Sequence, residues 1–302
     1  MRISMIRYGP DMYLNDQRQE VLHDASPLFG LLANETSTQK HSVHSLYIPP
    51  HWHRELEIFL LLDGSVRISV GDGLYKLQRG EGCFINSGAL HSFQFSEEPV
   101  WFRSLLFDPG IVAGAPGSLF DTVYMRPLLE DGPAFLSFGK NPEDAEFFKA
   151  FEEAFCLCRE EPAGYEFAVR WALSRISLLT KKKGGVISSR KVTDDAQDRM
   201  KNMLHWVEEH LGEAVTTKDI AQQGNICPRA CQKAFQRYLH CSPTEYLQRR
   251  RIFAAAKRLS ITDTPVTEIA MESGFSSPSY FSKCFKAEIG SSPTAYRAAA
   301  KK

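Results

Sequence analysis

The last third of the chain repeats itself, and that repeat restricts the available folds more than any other feature. One copy, IAQQGNICPRACQKAFQRYLHCSPTEYLQ, begins at Ile220; the other, IAMESGFSSPSYFSKCFKAEIGSSPTAYRA, begins at Ile269. Ile-Ala opens both, Phe235 matches Phe285, Ser242-Pro243-Thr244 matches Ser292-Pro293-Thr294, and Tyr246 matches Tyr296. Early positions are offset by 49 residues and later ones by 50, which places one extra residue in the turn of the second copy. Each copy predicts a short helix, a tight turn (Gly224-Asn225, or Gly274) and a longer helix. In the second copy Ser276 is the expected N-cap, with Pro278 in the first turn. Such a pair can project its second helix into a DNA major groove. A helix-pair solenoid would need about three or more repeats. Here two copies are joined by one long basic helix, TEYLQRRRIFAAAKRLS.

The outward residues suit that partner. Arg229, Gln232, Lys233 and Gln236 share one helical face, opposite Phe235 and Leu239. Arg and Lys address guanine, Gln addresses adenine, and Ser hydroxyls address either kind of base. Net charge over 302 residues is zero, yet residues 195–302 hold 16 Lys and Arg against 11 Asp and Glu. The rest holds 20 against 25, so only the C-terminal part is matched to a polyanion.

Gly274-Phe275, Tyr280-Phe281, Phe285-Lys286, Gly290 and Ser292-Pro293 with Tyr296-Arg297 closely resemble the signature of the AraC/XylS family of bacterial transcription regulators. The resemblance covers about residues 200–300 and implies two recognition helices reading successive major grooves of double-stranded promoter DNA. It implies Arg229, Gln232 and Lys233 as base readers in the first helix, with Gln236 and Arg237 toward the phosphates. In the second it implies Ser279, Ser282 and Lys283 on bases and Lys286 on phosphate. Two departures mark the first copy. Cys227 stands where that family usually has a serine cap, and His240 where glycine usually ends the helix.

The N-terminal part reads differently. From about 43 to 108, short strands (VHSLYIP, LEIFLLL, SVRISVG, CFIN, HSFQF, VWFRSLLFD) alternate with turns at Asp63-Gly64, Gly71-Asp72-Gly73, Gly80-Glu81-Gly82 and Ser87-Gly88. Close spacing of short strands predicts a small barrel or jelly roll. Phe147, Phe148, Phe151, Phe155 and Cys158 then recur at helical spacing, and EFAVRWALSRISLLT predicts a second helix, so that two helices occupy about 143–180. The polar stretch 181–198 reads as a linker.

Within the strands, HWHRELE places His51, His53 and Glu57 at equal parity, on one side of a single continuous strand. Phe59 and Leu61 share that parity; Trp52 and Arg54 have the opposite one and point out, toward an arm of residues 1–45. Downstream, GEGCFINSGALHSFQF supplies His91. Together these stretches resemble the cupin double motif, with Asn86 where proline is usual and Phe95 where asparagine is usual. The resemblance supplies four metal-ligand types, and three imidazoles with one carboxylate suit Fe, Mn, Ni or Zn. The fused DNA-reading part shifts the expectation from catalysis to sensing. His51, His53, Glu57, His91 and Phe59 are then an effector pocket without cofactor, and a divalent metal on the same four polar residues is the alternative.

Hydrophobic content of 43% and charge content of 24% describe a soluble chain. The N-terminal stretch lacks the apolar core of a signal peptide, and the longest apolar run, Ile58 to Leu62, cannot cross a bilayer, so the expected location is the cytoplasm. Seven cysteines form no C-x2-C pair and read as packed thiols. The resulting expectation is an α+β chain of two domains. Residues 1–180 form a cupin-like β-barrel (jelly roll) with following helices, and 199–302 an all-α domain with helix–turn–helix units at about 216–240 and 265–290. The expected protein is a non-enzymatic regulator that senses a small polar effector, possibly a sugar. It pairs as a homodimer through the two helices and, as an activator, touches RNA polymerase; no membrane is involved. Its rivals are a cupin metalloenzyme or metal sensor with a DNA-binding tail, and a ligand-independent regulator whose barrel only dimerises.

Overall fold

Every side chain from Leu56 to Leu60 is buried, so this strand has an occupied face on both sides. Leu56, Ile58 and Leu60 join one hydrophobic cluster; Phe59 and Leu61 join another. Two layers must therefore cover it. The computed structural model describes residues 6–8, 29–37, 47–95, 99–185 and 194–300, and the chain divides into two units, Met1–Thr193 and Asp194–Lys302.

In the first unit the strands are β1 (Ile6–Tyr8), β2 (Leu31–Ser37), β3 (Tyr47–His51), β4 (Leu56–Asp63), β5 (Ser65–Val70), β6 (Gly73–Gln78), β7 (Gly82–Ile85), β8 (His91–Phe95), β9 (Trp101–Phe107) and β10 (Phe135–Phe138). They form a six-stranded sheet, β1-β2-β9-β4-β7-β10, and a four-stranded sheet, β3-β8-β5-β6. The fold is the expected cupin-like one, but among the described residues the two sheets are not hydrogen-bonded into one closed barrel. The chain changes sheets between β3 and β4. Short helices α1 (Gly110–Ala113) and α2 (Arg126–Glu130), with a π-helical turn at Phe120–Met125, precede β10.

Helices α3 (Ala145–Glu160) and α4 (Tyr165–Gly184) cover the outer face of the larger sheet. Phe147, Phe151, Phe155 and Cys158 are buried along α3, against Leu31, Ile58, Leu105 and Phe107 of the sheet, and Phe148 is partly buried at the edge. Arg103, whose direction the alternation leaves open, points to this side. Its guanidinium lies 2.8 Å from Glu152 and over the Phe155 ring at 4.5 Å.

Three expectations need correcting. Leu31–Ser37, assigned to an arm, is a fully buried strand between β1 and β9. Asn34 and Glu35 are matched there: the Asn34 amide donates to Ser104 Oγ at 3.1 Å, and the Trp101 indole donates to Glu35 at 2.9 Å. The rest of the arm, apart from residues 6–8 and 29–30, lies outside the described residues. The stretch 181–198 is also not all linker. Lys181–Gly184 complete α4, since lysines are good helix formers and favour the C-terminal end of the dipole. From Asp194 the chain is helical again, and residues 186–193 lie outside the described residues.

The second unit is helical throughout: α5 (Asp194–Glu209), α6 (Thr217–Gln223), α7 (Pro228–Leu239), α8 (Pro243–Ile261), α9 (Val266–Glu272), α10 (Pro278–Ile289) and α11 (Pro293–Ala300). Both ends of α6 recur in α9 at the offset of 49, and both ends of α7 recur in α10 at the offset of 50. The extra residue sits in the second turn. The third correction concerns that turn: the cap of α10 is Ser277, not Ser276, and its hydroxyl accepts from the Tyr280 amide. The backbone of Ser277 is extended, as an N-cap requires, immediately before Pro278 at N1.

Candidate functional site

The two polar stretches of the first unit meet inside the space between its sheets. His51 ends β3 and His91 begins β8, paired directly across the smaller sheet; Glu57 is on β4 of the larger sheet. His53 lies in the connection, because a turn at Arg54–Glu55 separates β3 from β4. The single strand expected from HWHRELE is thus two strands in two sheets, and the side chains meet across the interior rather than along one edge. Trp52 is half-buried and Arg54 exposed, in keeping with their parity. The Gly88 amide donates to the His53 carbonyl at 2.8 Å, which ties the second motif to the first. Asn86 anchors the same loop by donating to the Leu128 and Pro133 carbonyls at 2.8 and 3.3 Å.

His51, His53, Glu57 and His91 are all buried, and their neighbours on the same interior are Phe59, Ile68, Ile85 and Phe93. Phe59 stacks between Phe93 and Phe102, with centroids 5.0 and 5.1 Å away, and forms an aromatic wall beyond Glu57. The His51 and His91 rings are 4.1 Å apart and the His53 and His91 rings 5.0 Å apart. Each Nδ1 faces a main-chain carbonyl: Pro49 at 2.8 Å for His51, Glu55 at 3.0 Å for His53 and Ala89 at 2.8 Å for His91. A carbonyl oxygen only accepts, so each Nδ1 carries a hydrogen, and Nε2 is left as the second ring nitrogen. Nε2 of His53 and of His91 lie 3.4 and 3.2 Å from Glu57 Oε2. Burial alone would raise the Glu57 carboxyl; His53 and His91 outweigh it and hold that group well below the usual carboxylate range. Burial, then His91 and His53, pushes His51 well below its ordinary value, so this imidazole is neutral. The three orienting carbonyls had no sequence signal, since any residue type supplies one.

In the second unit, Arg229, Gln232, Lys233, Gln236 and Arg237 all stand exposed on α7, opposite buried Cys231, Phe235 and Tyr238. On α10, Ser279, Lys283 and Lys286 are exposed and Ser282 half-buried, opposite Phe281, Cys284 and Phe285. Tyr280 is also exposed on α10, where its hydroxyl lies 3.3 Å from Gln248. Reading for polar side chains passed over it. The basic run in α8 is turned to structural use. Arg249 pairs with Glu288 at 2.9 Å, Arg250 forks onto Glu208 at 2.6 and 3.0 Å, and Arg251 donates to the Leu211 and Glu213 carbonyls. These three arginines are thus engaged within the unit.

A repeated helix–turn–helix domain fused to a ligand-binding β domain defines a DNA-binding transcription regulator. The AraC-like ligand binding domain family matches residues 32–161, and a helix-turn-helix domain family matches residues 220–299. The chain thus carries an AraC-type helix–turn–helix domain and an AraC-like ligand-binding domain, and it is similar to AraC-type transcription regulators over both. It is 27% identical over 258 residues to the HTH-type transcriptional regulator YdeC of Bacillus subtilis, covering 83% of this chain and 86% of that one. To the HTH-type transcriptional activator AarP of Providencia stuartii it is 37% identical over 109 residues, 36% of this chain and 81% of the relative. Over 253 residues it is 26% identical to the HTH-type transcriptional activator RhaS of Yersinia pestis, covering 81% and 87%. Such relatives indicate a regulator rather than an enzyme. No helix among the described residues is long and apolar enough to cross a membrane.

Proposed function

We propose that this regulator senses a small polar effector through His51, His53, Glu57 and His91, walled by Phe59, and reads promoter DNA through α7 and α10. The observation that carries the sensing half is the burial of four polar side chains together on an otherwise apolar interior. Buried polar groups cost stability unless matched, and a hydroxyl-rich or ionic ligand supplies the matching partners. A sugar is one ligand of that class. In the DNA-reading half, Arg229, Gln232 and Lys233 with Ser279, Ser282 and Lys283 take the bases, while Gln236, Arg237 and Lys286 take phosphates. Their exposure along two repeated helices supports that assignment.

The working unit is a cytoplasmic homodimer joined through α3 and α4, and Phe167 and Trp171, 81% and 63% exposed on α4, support a second copy there. Effector binding changes the pairing of the DNA-binding domains along their sites, and an activator so placed touches RNA polymerase. The test is footprinting of the full-length protein on its own promoter with a panel of polar metabolites. One compound is expected to change the wild-type footprint and to leave that of Glu57→Gln unchanged. Footprints identical with and without every compound would contradict the sensing role.

A further inference from the structure

We propose that ligand reaches the buried cluster through the seam between β6 and β10, and that the Tyr75 ring is the side chain that closes this route. The proposal rests on the reading of the same cluster as the effector site, and it adds how that site is reached.

Strand pairing locates the seam. β6 is the terminal strand of the smaller sheet and β10 that of the larger one. Across the smaller sheet, pairing runs from His51 to His91, then to Val70 and to Gly73. Across the larger sheet it runs from Glu57 to Ile85 and then to Phe135. Residues directly opposite on antiparallel strands share a face, so each row leads from the cluster to the seam, with Val70 or Ile85 between. Gly73 supplies no side chain at the seam. The Tyr75 ring, two residues on and on the same face, covers it instead: a Cβ added at Gly73 would lie 2.4 Å from the Tyr75 hydroxyl oxygen. That ring stacks on Phe135, with centroids 3.8 Å apart and planes at 18°. One aromatic pair thus spans two edges that are not paired with each other among the described residues.

The two rings are not equally held. Phe135 is buried, and the chain entering its strand is pinned at Asn86. There the main-chain amide donates to the Ala134 carbonyl at 3.0 Å and the side chain to the Pro133 carbonyl at 3.3 Å. Tyr75 is 37% exposed, although its paired neighbour Ile68 is fully buried. Turning this one side chain toward solvent breaks a ring stack and no main-chain hydrogen bond, a fast motion for an exposed residue. With the ring turned out, Gly73 leaves the seam bare, and the way past Val70 and Ile85 opens to His91 and Glu57.

The chain carries its own reporter of this opening. Cys83 is fully buried, pairs with Phe59 and belongs to the interior between the sheets. Cys158 is buried in the other layer, where α3 covers the outer face of the larger sheet. A small reagent entering by the seam reaches Cys83 and not Cys158, whereas general loosening of the unit exposes both.

The test treats full-length protein, without any effector, with methyl methanethiosulfonate and follows both thiols by peptide mass spectrometry. Tyr75→Ala removes the ring and Gly73→Ala pushes it aside. Each is expected to raise the Cys83-to-Cys158 labelling ratio at least ~10-fold. Tyr75→Phe keeps the ring, and Leu74→Ala alters a 54% exposed neighbour of opposite parity; both are expected to keep the wild-type ratio. A ratio unchanged in Tyr75→Ala overturns the proposal, as does a parallel rise of both thiols or an equal rise in Leu74→Ala. Gly73→Ala decides in the same way if Tyr75→Ala does not fold. If the ratio responds as expected and no metabolite alters the footprint, the route stands and the sensing role falls. If a metabolite alters the wild-type footprint and not that of Glu57→Gln while the ratio never moves, the effector reading stands and the seam route falls.

Discussion

In the first helix–turn–helix the Phe235 ring meets Tyr246 edge-on at 5.7 Å; in the second, Phe285 meets Tyr296 edge-on at 5.6 Å. The cores of the two units are thus near copies, and so are the lengths of their helices. Their ends differ. Cys227 caps α7 without any side-chain hydrogen bond, whereas Ser277 caps α10 through the Tyr280 amide. His240 adopts φ 54° after α7, where Gly290 takes φ 84° after α10 without a side-chain penalty. Outward chemistry differs too. The first face carries Arg229, Gln232, Lys233, Gln236 and Arg237; the second carries serines and two lysines. A duplicated core has kept the frame while the caps and the exposed faces diverged. The helix with more exposed cationic and amide side chains is the one with the weaker ends.

The turns offer the sharpest way to break this comparison. Gly274 has φ 81°, and a Cβ there would lie 2.6 Å from the Leu211 carbonyl oxygen. Gly224 has an ordinary negative φ, and its Cβ would meet the flexible Met203 side chain at 3.1 Å. Gly274→Ala is therefore expected to destabilise the protein by about 2–4 kcal/mol and Gly224→Ala by less than about 1 kcal/mol, read from urea unfolding of the full chain. Equal losses would mean that the two turns are held alike. The cap difference is smaller and has the opposite sign. Cys227→Ser supplies a hydroxyl acceptor for the first turn of α7 and is expected to raise stability by about 0.5–1 kcal/mol. An unchanged unfolding midpoint would show that the thiol end is already compensated.

The same contrast explains what could be read from sequence. Helix positions in the second unit were legible because duplication, turn residues and proline at N1 all agree. The cap was misplaced by one because Ser276 and Ser277 are chemically identical and only the backbone angle separates them. In the first unit the ligand-type residues were legible, but the strand break was not. HWHRELE alternates without interruption and has neither Gly nor Pro at Arg54-Glu55, so the change of sheet leaves no mark. Strand Leu31–Ser37 is hidden by LLANETS, whose Asn34 and Glu35 are matched by Ser104, Trp101 and Arg103 from β9. Those partners are about seventy residues away, beyond the reach of local patterning. The run QRRR read as charge for a partner, while its acidic and carbonyl partners sit on other helices of the same unit.

The most direct test of the account is base-resolved selection of DNA sites by full-length wild type, Arg229→Ala and Lys283→Ala. Each substitution is expected to cost about 1–3 kcal/mol of discrimination, confined to a few base pairs, in two clusters about one helical turn apart. Uniform weakening on every sequence, random DNA included, would make both residues phosphate contacts and would contradict the assignment of α7 and α10 as the base-reading helices.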